Sequence, residues 1–116
     1  MSLKINKILI LFFITALGYS QSFLKNEISV VEYNTSWNKT NFIKGLDKLK
    51  NCKPYTVILC ENLDYMDKFD IRQPTIVVYN NGDEVARFKS TIMLDFDVSY
   101  KDLQKEVDKL LLNKFN

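Results

Sequence analysis

The sequence predicts an α/β domain: a four-stranded mixed sheet with helices on both faces, in the order β-α-β-α-β-β-α. Three observations carry that expectation. Two β-branched and aromatic runs, residues 28–33 and 55–60, are separated by a stretch whose apolar residues recur at helical spacing. A third run, residues 75–79, leads through Asn80, Asn81, Gly82 and Asp83 into a fourth, residues 84–88. That connection is a hairpin signal, because asparagine and glycine tolerate positive φ. The chain closes on the amphipathic stripe of Leu103, Val107, Leu110 and Leu111.

Each element has a local reason. Residues 28–33 are dense in Ile, Val and Tyr, which suit a pleated and packed strand. Residues 37–41 are mostly polar and suit a helix start, after which Phe42, Ile43, Leu46 and Leu49 form one apolar helix face. Pro54 stops that helix, and the nearly continuous apolar run at 55–60 reads as a strand buried on both faces, as in a parallel pair. Asn62 stands where it would cap a short helix carrying Leu63, Met66 and Phe69. Ser99 and Asp102 form a capping box, with Asp in place of Glu, ahead of the last helix. A right-handed crossover between the first two strands and a hairpin between the last two then give the mixed sheet.

Composition limits the chemistry. The 116 residues are 47% hydrophobic and 26% charged, an ordinary globular balance for one small domain. There is no histidine. Imidazole general bases, Cys-His and Ser-His dyads and the commonest metal ligand are therefore excluded. Residues 1–7 carry Lys4 and Lys7 and no acid, and residues 8–18 form an apolar run too short to span a bilayer comfortably. Gly18 and Ser20 are small residues at −3 and −1 of a cut before Gln21. Residues 1–20 read as a secretory signal peptide, which makes residues 21–116 an exported domain, periplasmic or extracellular. The signal is also the whole of the net charge. Of 16 basic and 14 acidic residues, Lys4 and Lys7 leave with it, so the remainder is formally neutral. Nothing points to nucleic acid, to a cofactor or to a metal, and the membrane is met only through the signal before cleavage.

The order and motifs resemble the thioredoxin-like family over roughly residues 28–112. Val31, Glu32 and Tyr33 followed by Trp37 are similar to the family's strand and the tryptophan before its active site. Phe69, Asp70, Ile71 and Arg72 followed by Pro74 and Thr75 are similar to its Ile-Arg and cis-Pro-Thr region, one residue shorter. Residues 77–85 are similar to its hydrophobic strand, Asn-Gly turn and returning strand. At the two positions where the resemblance implies reactive cysteines, this sequence has Asn38 and Asn41.

That departure shapes the functional expectation. Dithiol exchange needs a thiolate at a helix N-terminus and a second thiol one turn on. An asparagine amide can do neither, and its natural role at a helix start is capping. Glu32 matches the family's buried acid, which here has no thiol to serve. It reads either as a repurposed acid or as a carboxylate reaching solvent or a basic side chain. The resemblance also implies that the Pro74 turn is cis and offers backbone groups to an extended partner chain, with Gln73 and Thr75 flanking it and Trp37 as an apolar neighbour. The alternative is a strand-entry proline with Trp37 in the core.

Cys52 and Cys60 are the only thiols. An exported chain with two cysteines suggests a disulfide. However, an extended run over residues 55–60 carries Cys60 about 16 Å from Tyr55, whereas bridged Cα atoms lie within roughly 7 Å. Cys60, at the end of a strand, is the candidate nucleophile and Cys52 the candidate resolving partner. A disulfide-linked dimer through either is a third reading. Asn34 and Asn38 also head glycosylation acceptor triplets. The sequence as a whole predicts an exported thioredoxin-like binding or chaperone-like module, inactive in redox at the usual position. The binding residues are Trp37, Asn38, Gln73, Pro74 and Thr75. The alternative is an atypical thiol-disulfide oxidoreductase using Cys60, Cys52 or both.

Overall fold

The fold is seen in a computed structural model that describes residues 27–115. The expected signal peptide, residues 1–20, lies outside the described residues. Four strands form one sheet: β1 (Ile28–Asn34), β2 (Lys53–Ile58), β3 (Thr75–Asn80) and β4 (Asp83–Lys89), in the spatial order β2-β1-β3-β4. β1 pairs parallel with β2 and antiparallel with β3, and β3 pairs antiparallel with β4. The four-stranded mixed sheet, with a parallel first pair and an antiparallel last pair, is the one the sequence predicts.

Alternation along the central strands divides the core in two. Val31, Tyr33, Val77 and Tyr79 point to one face, where they meet Tyr65 of the short helix α1 (Asp64–Lys68) and Ile71. Val30, Ile76 and Val78 point to the other, where they meet Leu103 and Val107 of α2 (Tyr100–Phe115) with Leu46 and Leu49. Helices thus cover both faces. No described helix is long and apolar enough to cross a membrane.

The hairpin turns at Asn81 (φ 54°) and Gly82 (φ 91°), the left-handed pair that a tight hairpin requires. The capping box forms in part, with the Ser99 N–H donating to Asp102 Oδ2 at 2.8 Å. Arg87 of β4 holds the end of α1 by donating to the main-chain oxygens of Asp70 (2.7 Å) and Phe69 (2.8 Å). These are carbonyls that a helix terminus leaves without an internal partner.

Three expectations are corrected. The stretch after Trp37 is not an α-helix. It forms two 3₁₀ turns, Ser36–Asn41 and Leu46–Lys48. Phe42 is extended (ψ 144°), and Gly45 adopts φ 84°. The Ile43 N–H donates to the Glu32 carboxylate at 3.1 Å, so helix propagation fails for lack of that ladder bond. Gly45 is required where it stands, because a Cβ there would come within 2.6 Å of the Tyr100 ring. Second, β2 is not buried on both faces. It is an edge strand joined only to β1, and among its residues only Val57 is fully buried. Pro54 sits inside it, as an edge permits. Third, Asn62 gives α1 no side-chain cap; its Nδ2 donates back to the Ile58 carbonyl at 3.0 Å.

Candidate functional site

The site forms where β1 and β2 end and β3 begins. β1 delivers Glu32 and Asn34, both buried in the central strand. The 3₁₀ turn that follows delivers Trp37 outward and Asn38 inward. Trp37 is 70% exposed, whereas Asn38 is 4% exposed.

The inward side chains form one polar chain. Asn41 Nδ2 donates to Asn38 Oδ1 (2.8 Å). Asn38 Nδ2 donates to Asn34 Oδ1 (3.0 Å) and to the Leu94 carbonyl (2.9 Å). Asn34 Nδ2 donates in turn to Glu32 Oε2 (3.0 Å). Glu32 Oε2 also receives the Ile43 N–H. Asn38 is therefore a tie between β1 and the β4–α2 connection and caps no helix. Glu32 reaches neither solvent nor a basic group, contrary to that expectation. Amide donors satisfy it instead, as burial of a carboxylate requires. Burial raises its pKa above the ordinary value, and the bonds from Asn34 and Ile43 partly oppose the rise. Asn34 and Asn38 are both buried with their amides engaged, so neither glycosylation triplet presents its acceptor in the folded chain.

On the outward side lies an apolar cleft of about 310 Å³, whose walls include Trp37, Cys60, Leu63, Met66, Pro74 and Leu94. Trp37 and Pro74 thus share a surface, which decides between cleft and core for this tryptophan. Thr35 also lines the cleft, and its Oγ1 is the one buried side-chain polar atom among the described residues without a hydrogen-bond partner. A more open cleft of about 410 Å³ borders Lys44, Lys48 and Tyr100. It holds neither thiol nor any of the residues the sequence singled out for binding.

Sequence matching finds no protein-family model and no curated protein. Solved structures do match. A Fasciola hepatica thioredoxin superposes with TM-score 0.59 at 19% identity, over 80% of this chain and 89% of its own. A mutant Entamoeba histolytica thioredoxin gives TM-score 0.59 at 20% identity, over 80% and 92%. Thioredoxin-2 of the malaria parasite gives 0.55 at 26%, over 73% and 84%. The chain has a thioredoxin-like fold.

Within this thioredoxin-like fold, several site residues stand differently from the expectation. No described peptide bond is cis, so the cis geometry expected at Pro74 is absent. The trans form is the intrinsic preference even before proline. Thr75 is buried and flanks no surface. Its Oγ1 donates to the Gln73 carbonyl at 2.7 Å. Gln73 Nε2 donates to the Ser90 carbonyl (2.8 Å), and the Ser90 N–H donates to the Pro74 carbonyl (2.8 Å). Both carbonyls of the turn therefore already accept bonds from the chain itself. Pro74 is itself buried and meets the cleft only as part of its lining.

The two thiols are free and lie at opposite ends of β2. Its six residues hold them roughly 20 Å apart at ~3.3 Å per residue, far beyond disulfide reach. Cys52 packs against the α2-side core, and burial pushes its thiol up to about 11, aided by Asp108. Cys60 is exposed in the cleft wall. Ser36 Oγ lies 3.6 Å from its sulfur, and that hydrogen bond lowers the thiol's pKa. Among the described residues no cluster of three metal-ligating side chains exists.

Sequence reasoning missed Asn34, Thr35, Arg72 and Leu94 as neighbours of the site. Leu63 and Met66 were visible at three-residue spacing, but the same spacing describes a core face. For Leu94 there was no local signal, since its tie to Asn38 spans 56 residues.

Proposed function

We propose that this chain is an exported binding or chaperone-like module that docks an extended peptide or protein segment in the Trp37–Pro74 cleft, without dithiol chemistry. The observation that carries this reading is the exposure of Trp37 in an apolar cleft beside Pro74. A large exposed aromatic in a concave apolar surface is the usual anchor of a recognition site. Asn38 and Asn41, engaged in the polar chain, contribute structure and no electrons.

Trp37 is the only tryptophan, so its emission reports on the cleft directly. Titration with unstructured peptides bearing Leu or Phe should shift and saturate that emission, and Leu63→Asp should abolish the response. An emission indifferent to every peptide, with the fold intact by circular dichroism, refutes docking at this cleft.

The second reading, thiol chemistry at Cys60, draws on the exposed thiol and its Ser36 contact. The remote and raised Cys52 gives it no resolving partner within the chain. Insulin reduction by the purified chain that disappears in Cys60→Ser would favour this reading over docking alone.

A further inference from the structure

We propose that the segment docked in the Trp37–Pro74 cleft carries basic residues beside its apolar anchor. The inference rests on the docking reading of that cleft and adds the charge of the partner.

The cleft floor is apolar, but its rim on the α1 side is acidic. Arg72 lines the cleft, and two carboxylates already neutralise it: Asp67 Oδ1 at 3.1 Å and Asp70 Oδ1 at 3.6 Å. Glu61 stands next to Cys60 and acts on its thiol electrostatically. Residues 61–72, which form α1 and its flanks, carry four carboxylates (Glu61, Asp64, Asp67 and Asp70) against two cations (Lys68 and Arg72), a surplus of two negative charges on this side. Asp67 and Asp70 are largely exposed, with side chains at 86% and 80%, so a partner can reach them. The opposite wall, the Trp37 turn, has Lys39 as its single charge. A ligand whose apolar side chain enters the cleft would lay its flanking residues along both walls, where the two net negative charges of the α1 side outweigh the single positive charge of Lys39.

The same surplus argues against an acidic occupant, which would meet like charge and be disfavoured. Flanking Lys or Arg matches the rim, and because these are surface charges the gain is modest and sensitive to salt.

The test uses three synthetic peptides with one Leu-Phe-Leu centre, flanked on each side by two Lys, two Gln or two Glu, followed by Trp37 emission. At low salt the Lys peptide should bind roughly fivefold more tightly than the Gln peptide, with the Glu peptide weakest. The gap should close at about 0.5 M salt and in a Glu61→Gln, Asp67→Asn, Asp70→Asn variant. Equal affinity of the three peptides, or a preference for Glu, overturns the basic-partner inference and leaves docking standing. No binding by any of the three overturns both.

Discussion

Asn38 Nδ2 donates to the Leu94 main-chain oxygen at 2.9 Å, and this bond fixes one wall of the cleft. Leu94 holds a positive φ of 68°, which branched or bulky residues adopt only under constraint. Its side chain lines the cleft beside Trp37. Asn38, which the resemblance sets at the first cysteine position, thus holds a distant loop in place.

Replacing Asn38 follows from that bond. Asn38→Ala would strip a partner from the Leu94 carbonyl, from Asn34 Oδ1 and from Asn41 Nδ2. Buried groups left unpaired cost about 1–3 kcal/mol each, and relaxation recovers part of it. We expect a loss of about 2–4 kcal/mol in urea unfolding. A loss below about 0.5 kcal/mol, the range of ordinary surface substitutions, would show that the polar chain is dispensable.

Introducing thiols at Asn38 and Asn41 should not confer reductase activity. An Asn38→Cys, Asn41→Cys double variant places its first thiol at a buried position, on a 3₁₀ turn with no α-helix behind it. The helix dipole and free amides that lower a catalytic thiol's pKa are missing. We expect insulin reduction at background level. Turnover approaching that of an active thioredoxin assayed alongside would contradict this.

The pH dependence of stability should carry the signature of Glu32. Its native pKa stands above the ordinary 4.5 because burial disfavours the charged form. The folded state then holds this proton more tightly than the unfolded state, so the Glu32 contribution becomes more favourable as pH falls through the raised native value. Its cost is fully present above that value and gone below about 4.5. Glu32→Gln, which keeps an acceptor for Asn34 and Ile43, should therefore gain in melting temperature over the parent at pH 8 relative to pH 4. A difference between the two proteins that is flat across that range argues against a raised native pKa.

The two cysteines should be separable by alkylation. Iodoacetamide near neutral pH should label exposed Cys60 at least ten times faster than Cys52, whose thiol is pushed up to about 11. Ser36→Ala should slow Cys60 by removing its hydrogen bond. Mass spectrometry without reductant should find no bridge between the two within one chain; detection of that bridge would refute the extended course of β2 between them.

Much of the fold was legible because its signals are local. The β-branched and aromatic density of residues 28–33 and 75–79, the Asn81–Gly82 turn and the Leu103–Val107 stripe each depend on neighbours in sequence. That Asn38 and Asn41 stand where the resemblance implies thiols was equally plain, and so was the chemical consequence of an amide there. The structure alone decided what those asparagines do, because their partners, Asn34 and the Leu94 carbonyl, come from a strand and a remote loop. It also decided that residues 36–48 form two 3₁₀ turns. Their apolar spacing fits a helix, but the Ile43 N–H is taken by a carboxylate on β1 and Gly45 must turn beneath Tyr100. The cleft is tertiary for the same reason. Trp37, Cys60 and Pro74 lie far apart along the chain and meet only because β1 and β2 finish and β3 starts at one end of the sheet.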